Sequence, residues 1–418
     1  MLLAFSVFAL PGISVAQQYY DPGLLQKTID RKPVDYQSPG IRAGSFELNA
    51  GAELAWESND NIFYLQEDEI SDNIWHIRPW LNVNSDWSRH ALNFSAFVDV
   101  ASYVDFNSQN YTDAVMSLDG RIDVKRGSAF NYKASYMNLH EDRSNPDSRN
   151  FIEPTKYTFS GIDVDYTHSF NRLTATLGYQ YQDTNYKNNK DFEGDVIDNQ
   201  YRDRDRNIWI ARLGYDYSDR SDIFVEYRGN NLNYDQKVDP NGYERSSDGY
   251  DIRGGVAWNM TGVLTGDLYL QYVSQDYDDE SFNKVNGFGV GANLDWTPTK
   301  LTSVNVRFAN TPQETTQLGA SGYYSSLYSA RVQHELRRNI LLNARLSYTD
   351  NDYELDDFAD PVNGLSDTQV TRAGVGISYL MNRNFSLSGG YVYEKQNANT
   401  NYFEYKTNRF FITLSGEL

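Results

Sequence analysis

The sequence predicts an all-β protein: a closed antiparallel transmembrane β-barrel of about eighteen strands, with short periplasmic turns and long extracellular loops. Three observations carry this. Apolar and polar residues alternate with period two from Phe46 to the last residue. The alternating stretches are joined by short and long connections in strict succession. Beyond the first sixteen residues no apolar run is long enough for a membrane helix, so any passage through a bilayer must be made by strands.

Composition narrows the class before any motif is read. The chain of 418 residues carries 57 acidic and 37 basic side chains, a formal charge of −20, and no cysteine. Disulfide scaffolds, thiol catalysis and thiolate metal sites are excluded. No nucleic acid is expected as a partner, because a phosphate polyanion is held by Lys and Arg neutralisation that an acidic chain lacks. The 33 Tyr, 21 Phe and 7 Trp argue against disorder, which depletes aromatics. At this length two or three domains would be the starting expectation, unless one repeated element takes the whole chain.

Residues 1–16, MLLAFSVFALPGISVA, are apolar and end in Ser14-Val15-Ala16, a small-x-small pattern that fits signal-peptide cleavage before Gln17. No Lys or Arg precedes the apolar stretch, which points to a start codon upstream of Met1. Residues 17–42 are read as a periplasmic leader and 43–418 as the barrel.

In the first strand Phe46, Leu48, Ala50, Ala52, Leu54 and Trp56 share one face, and Ser45, Glu47, Asn49, Gly51 and Glu53 the other. The second sets Trp75, Ile77, Leu81 and Val83 against His76, Arg78, Asn82 and Asn84. The third sets Leu92, Phe94, Ala96, Val98 and Val100 against Asn93, Ser95, Asp99 and Ala101. By the same rule stretches follow near 111–125, 129–140, 156–168, 173–186, 206–217, 222–229, 249–260, 263–275, 286–296, 301–310, 321–336, 340–349, 367–381, 385–396 and 407–418. Short connections such as Ser85–Ser88, Thr261–Gly262 and Asn382–Asn384 alternate with long polar ones such as 58–72, 141–155, 187–205, 230–248 and 350–366. Eight short turns and nine long loops are what eighteen antiparallel strands require when both ends of the barrel lie on the short-turn side, the asymmetry of bacterial outer-membrane barrels.

Sandwiches and propellers also use short alternating strands, but they bury the apolar faces against protein. Here the face opposite the apolar one is Asp, Arg, Asn, Ser and Gly, which belongs in water, and lipid covers the apolar face without a second protein layer. Closure is then compulsory, because an open strand edge in hydrocarbon leaves amides unpaired. Of the 11 prolines only Pro79 falls inside a predicted strand. Tyr179 with Tyr181, Tyr215 with Tyr217, and Tyr391 with Tyr393 stand at strand ends, where an aromatic girdle belongs. The final strand, with Phe410, Ile412, Leu414, Gly416 and Leu418 on one face, resembles the C-terminal signal read by the barrel-assembly machinery, with Leu418 in place of the usual aromatic.

Two short motifs flank the first strand: Ser38-Pro39-Gly40-Ile41-Arg42-Ala43-Gly44-Ser45-Phe46 before it and Ser58-Asn59-Asp60-Asn61-Ile62-Phe63 after it. They resemble the outer-membrane β-barrel porin family associated with exopolysaccharide biosynthesis and export. The resemblance implies a pore in the cell outer membrane, among lipid and lipopolysaccharide, that assists secretion of a polysaccharide. It also implies a periplasmic or outer-membrane export partner for leader 17–42. The plain alternative for the leader is a lead-in peptide with one nascent turn around Leu24, Leu25 and Ile29.

An eighteen-stranded barrel is wide enough for an aqueous channel unless something fills it. The pore-lining candidates are Arg78, Asp99, Asp123, Arg212, Arg253, Arg307, Arg331, Arg345 and Arg372. Acids concentrated in the first half and arginines in the second would set a field across the pore; lumenal salt bridges that stiffen the wall are the alternative. Phe97, Tyr103, Phe224 and Tyr269 are the inward aromatics. The acidic loops, with Glu67, Asp68 and Glu69 or Asp350, Asp352, Asp356 and Asp357, lack the glycine and terminal Glu of a calcium loop and are read as solvated surface. The five histidines, His76, His90, His140, His168 and His334, are scattered, and no phosphate-binding loop occurs, so neither catalysis nor a cofactor or metal is expected. Two other functions stay open: a general or solute-selective porin narrowed by an inward loop from 141–155, 187–205 or 350–366, and a non-conducting barrel that binds surface material.

Overall fold

The computed structural model describes residues 32–145, 148, 151–259, 263–315, 319–355 and 364–418. The expected signal peptide and the first half of the leader lie outside these residues. Strands β1 to β7 are Ile41–Ala43, Phe46–Asn59, Asp72–Ser85, Ala91–Tyr103, Tyr111–Lys125, Ser128–His140 and Lys156–Phe170. Strands β8 to β14 are Leu173–Tyr186, Asn189–Lys190, Val196–Ile197, Arg204–Ser218, Ser221–Tyr234, Ser247–Asn259 and Leu264–Tyr277. Strands β15 to β21 are Val285–Thr299, Thr302–Glu314, Ala320–Arg337, Ile340–Leu355, Asp367–Leu380, Phe385–Ala398 and Tyr405–Glu417.

Eighteen of these, β2 to β8 and β11 to β21, pair antiparallel with their chain neighbours, and β2 pairs with β21 to close the cylinder. The remaining pieces are a small β9–β10 hairpin within loop 187–203 and the leader strand β1. Among the described residues no helix is long and apolar enough to cross a membrane.

The two strand faces differ as the alternation requires. Leu177, Ile77 and Leu346 stand outward, 66 %, 55 % and 55 % exposed, while Arg78 and Glu57 on the inner face are 2 % and 3 % exposed. Apolar surface thus faces outward and charge inward, the distribution that hydrocarbon outside and a polar interior demand. Outward rings meet across neighbouring strands in rows: Tyr227, Tyr250, Tyr272 and Phe288 run from β12 to β15, with centroids 6.2, 6.4 and 5.0 Å apart. Phe308, Tyr328 and Tyr348 continue the band on β16 to β18, 4.8 and 6.2 Å apart.

Most strands run past their expected ends on the long-loop side. β12 continues to Tyr234 and β18 to Leu355. At about 3.3 Å per residue a 14-residue strand spans about 45 Å, more than the roughly 30 Å of hydrocarbon. Above the lipid both faces are polar, so the alternation that marks a strand disappears while the ladder goes on. Asn231 donates to Asp248 at 2.8 Å and Asn233 to Asp205 at 3.2 Å along this extension. Prolines are also more frequent in strands than expected, since Pro298 and Pro312 join Pro79. Pro298 lies in a register irregularity between Trp296 and Thr299, and Pro312 lies beyond Ala309, where pairing of β16 with β15 has ended. In both places a missing amide proton breaks no ladder bond.

Both motifs around β2 belong to the closure. Gly44, at φ +62°, opens a two-residue hairpin that folds β1 onto β2, with Ala43 opposite Phe46. β1 occupies the edge of β2 at residues 46–48, just below the stretch from Gly51 to Asn59 that β21 occupies. At the other end Asp60 accepts the Asn408 backbone N–H at 2.7 Å and its Nδ2 at 2.6 Å. Asn59 Oδ1 accepts from Thr407 Oγ1, and Asn61 Nδ2 donates to the Lys406 carbonyl. Upstream of β1, Asp35 pairs with Arg338 at 2.6 Å, its carbonyl accepts from Arg383, and Lys32 pairs with Glu417. The leader therefore follows the periplasmic rim from the β17–β18 turn to the seam.

Candidate functional site

Among the described residues the lumen gathers most of the buried charge, and its two sides are built differently. On β2 to β5 the inner-face register brings Glu53, Arg78, Asp99, His76 and Glu57 into one chain. Arg78 Nε lies 3.1 Å from Asp99 and its Nη1 4.0 Å from Glu53. His76 Nδ1 lies 3.0 Å from the other oxygen of Asp99, and Nε2 lies 3.8 Å from Glu57. Beside it Asp113 holds His140 Nδ1 at 3.0 Å, and the imidazole stacks on Tyr111 with centroids 3.7 Å apart.

The remainder of the wall, β11 to β21, is richer in arginine, and most of these side chains are paired. Arg212 lies 3.3 Å from Glu226 and 3.8 Å above the Phe224 ring. Arg253 lies 2.5 Å from Asp251 and 3.9 Å from Glu226, with Tyr269 beneath it at 5.6 Å. Arg372 contacts the buried Glu394 at 2.7 and 2.9 Å, Arg409 contacts it at 3.2 Å, and the Tyr405 hydroxyl donates to it at 2.7 Å. Arg331 and Arg345 stand directly opposite each other on β17 and β18. Arg307, opposite Asn293 and Ser329, is exposed to the lumen. Asp123 sits at the periplasmic rim, where it accepts the His90 N–H at 2.9 Å and pairs with Arg121 at 3.0 Å.

Two extracellular loops dip into this space. Tyr64 of loop 60–71 stands edge-on to Tyr405 of β21 at 4.8 Å, and its hydroxyl donates to Asp142 of loop 141–155 at 3.3 Å. Burial holds the Tyr64 phenol well above its usual range, so it remains a donor. Arg143 donates to Gln109 Oε1 at 3.0 and 2.7 Å and lies over Phe63 at 5.8 Å. Desolvation pulls its guanidinium down to about 10, still charged at neutral pH. Glu141 is fully buried and paired with Arg202 of loop 187–203 at 2.5 and 2.9 Å. Tyr405, Tyr64 and Asp142 together span the arc from β21 to β6, about a third of the circumference. Of the three loops offered as inward candidates, 141–155 brings Glu141, Asp142 and Arg143 into this cluster and 187–205 brings Arg202.

Sequence reading missed the two buried His–Asp pairs. Their members lie 23 and 27 residues apart, a spacing set by strand and turn length that no motif marks. His168 and His334 hydrogen-bond to hydroxyls, of Ser128 and Thr302, and His168 meets the Phe170 ring edge-on at 3.9 Å.

A family model described as Putative beta-barrel porin 2 matches residues 32–418. Among solved structures, OccAB3 of Acinetobacter baumannii aligns at 8 % identity over 90 % of this chain and 100 % of that one, with a TM-score of 0.46. OccK2 (OpdF) of Pseudomonas aeruginosa aligns at 10 % identity over 89 % and 97 %, with a TM-score of 0.46. The alcaligin outer-membrane receptor FauA of Bordetella pertussis aligns at 10 % over 91 % and 77 %, with a TM-score of 0.40. No curated protein matches the sequence.

Proposed function

The chain belongs to the family described as Putative beta-barrel porin 2, and on that premise we propose that it is a solute-selective outer-membrane channel, narrowed at its extracellular side by its own loops. The observation that carries this reading is the contact between Tyr64 and Asp142, which joins two loops inside the barrel and is backed by the buried Glu141–Arg202 pair. Loops held by buried ion pairs constrict a lumen permanently, and small hydrophilic solutes are what a constricted, charge-lined lumen admits. The nine pore-lining candidates serve this reading in two ways. The paired arginines and acids stiffen the wall, and Arg307, exposed to the lumen, leaves a charge for passing solutes to meet.

Export of an exopolysaccharide is the finer function that the flanking motifs imply by resemblance. Those motifs are occupied in hairpin formation and seam closure, which any cargo would require equally, so they do not favour a polymer over a small solute. The test is single-channel recording of the purified protein in planar bilayers. Wild type is expected to conduct with small steps, and deletion of 142–152 is expected to raise the conductance several-fold. Unchanged conductance after the deletion would remove the constriction from the account, and silence of both proteins would remove the channel. Secreted polysaccharide that falls on gene deletion while uptake of small sugars is unchanged would favour export instead.

A further inference from the structure

We infer that the periplasmic mouth is a binding vestibule for neutral, polyhydroxylated solutes; the inference rests on the channel reading and gives it a substrate class. Between the leader and the inner faces of β2 to β5 lies a cavity of about 490 Å³, within the roughly 300–1,000 Å³ of small-molecule sites. Its wall differs from the stretch of the same strands above it. Higher up the inner face is ionic, whereas here it carries Asn49, Asn82, Asn84, Asn93 and Ser95 around the Trp80 indole.

The register explains the grouping. Asn82 faces Asn49 and Ser95 across the ladders, Asn84 faces Asn93, and Trp80 faces Gly51 on one side and Phe97 on the other. Gly51 has no side chain to hold the indole away. A Cβ there would come within 2.6 Å of the Trp80 ring and of the Gly416 carbonyl, so the glycine lets the indole pack against the seam. The half-buried ring offers the cavity an apolar surface of fixed orientation, next to carboxamides that each carry donors and an acceptor. Asn93 donates to Asp119 at 2.9 Å, and Asn49 donates to Glu47 at 3.1 Å. The carboxamides of Asn82 and Asn84 make no side-chain hydrogen bond among the described residues.

This donor set fits hydroxyl groups in pairs, with ring C–H groups set against the indole. It does not fit a strongly charged solute. Lys32 and Glu417 neutralise each other at the edge of the cavity, and Asp119 already accepts a hydrogen bond. Lys32, Gln37 and Ser38 of the leader form the remaining wall, so the latch along the rim also completes the site.

The test uses the full-length protein in planar bilayers, with maltotriose as a neutral probe and trilysine and citrate as charged ones, each added at the periplasmic mouth. Maltotriose is expected to interrupt the current at concentrations where the charged probes do not. Trp80→Ala and the double variant Asn82→Leu/Asn84→Leu are expected to weaken the block by about tenfold or more, with Trp80→Phe recovering most of it. Phe224→Ala, an inward aromatic elsewhere in the lumen, is expected to bind as wild type does. A conducting wild type that maltotriose leaves undisturbed overturns the inference. So does a Trp80→Ala channel that conducts and binds within about twofold of wild type, or a Phe224→Ala channel weakened equally. If wild type does not conduct, the channel reading fails separately. Calorimetric titration of the protein in detergent with maltotriose then decides the vestibule alone, since heat of binding lost in Trp80→Ala supports it and no heat in wild type overturns it.

Discussion

Glu394 offers the sharpest test of how the lumen wall is held. Its carboxylate is almost fully buried and accepts from Arg372 twice, from Arg409 and from Tyr405, while the two arginine side chains are only 13 % and 12 % exposed. Glu394→Leu removes the acid that both buried guanidiniums contact. Breaking a buried pair by deleting one partner typically costs about 3–5 kcal/mol, because the remaining charge is left uncompensated. The upper end of that range applies here, since two guanidiniums lose their partner together. Glu394→Gln keeps the volume and an acceptor for Tyr405 but not the charge, and should cost about 2 kcal/mol, the scale of a hydrogen bond to a charged group. Glu394→Leu combined with Arg372→Leu leaves only Arg409, which Glu57 and Asp142 also attract, and should be less destabilising than Glu394→Leu alone. Urea unfolding in lipid vesicles, followed by tryptophan fluorescence, reads all three as midpoint shifts at constant m. A Glu394→Leu loss below about 1 kcal/mol, or equal losses for Gln and Leu, would refute the claim that charge compensation rather than packing holds this part of the wall.

Three further outcomes follow from the same geometry. Leu346→Arg places a cation on the outward face beside the inward Arg345 and should cost about 2–4 kcal/mol in vesicle refolding, whereas the inward Ser329→Arg should cost much less; equal losses would mean that the faces are misassigned. Gly51→Val drives a side chain into the Trp80 ring and the Gly416 carbonyl, which belongs to the ladder and cannot yield. A loss of about 1–3 kcal/mol with a shifted tryptophan emission is expected, and an unshifted spectrum would contradict the packing. Asp60→Ala removes the carboxylate that holds Asn408 twice at the seam, and should cost about 1.5–3 kcal/mol and lower the temperature at which the barrel unfolds on electrophoresis, while Asp68→Ala in the exposed part of the same loop should do neither.

The barrel was legible because lipid enforces a simple rule on every strand. Where hydrocarbon lies outside, each second residue must be apolar, and that alone gives Leu54, Ile77 and Leu346 their direction and places Arg78, Asp99 and Arg372 inside. The rule stops at the membrane surface. Above it Asn230 to Asn233 carry no alternation, so the upper end of β12 reads as loop although its ladder continues. The interior was legible by direction only. Which acid meets which base depends on the register between strands, and Arg78 reaches Asp99 while His76 shares that carboxylate because of pairings that are not local in sequence. Loop 141–155 illustrates the same limit from the other side. Its composition does not set it apart from the other two inward candidates, 187–205 and 350–366, and Glu141 is buried because Arg202, about sixty residues away, supplies the countercharge.

The two motifs that flank β2 also show where specificity must reside. Gly44 turns β1 onto β2, and Asn59, Asp60 and Asn61 bind β2 to β21, so both motifs serve the one event every barrel must complete, the meeting of its first and last strands. A barrel left open at that edge would expose unpaired amides to hydrocarbon at several kcal/mol each, whatever it transports. Residues that seal the cylinder therefore cannot distinguish one solute from another. In the channel proposed above that distinction would fall to groups that line the path without holding the ladder: Tyr64 and Asp142 at the narrowed outer side, Arg307 in the middle, and Trp80 with its asparagines at the inner mouth. Exchanging these side chains should change what passes while leaving assembly intact, and exchanging the seam residues should do the reverse.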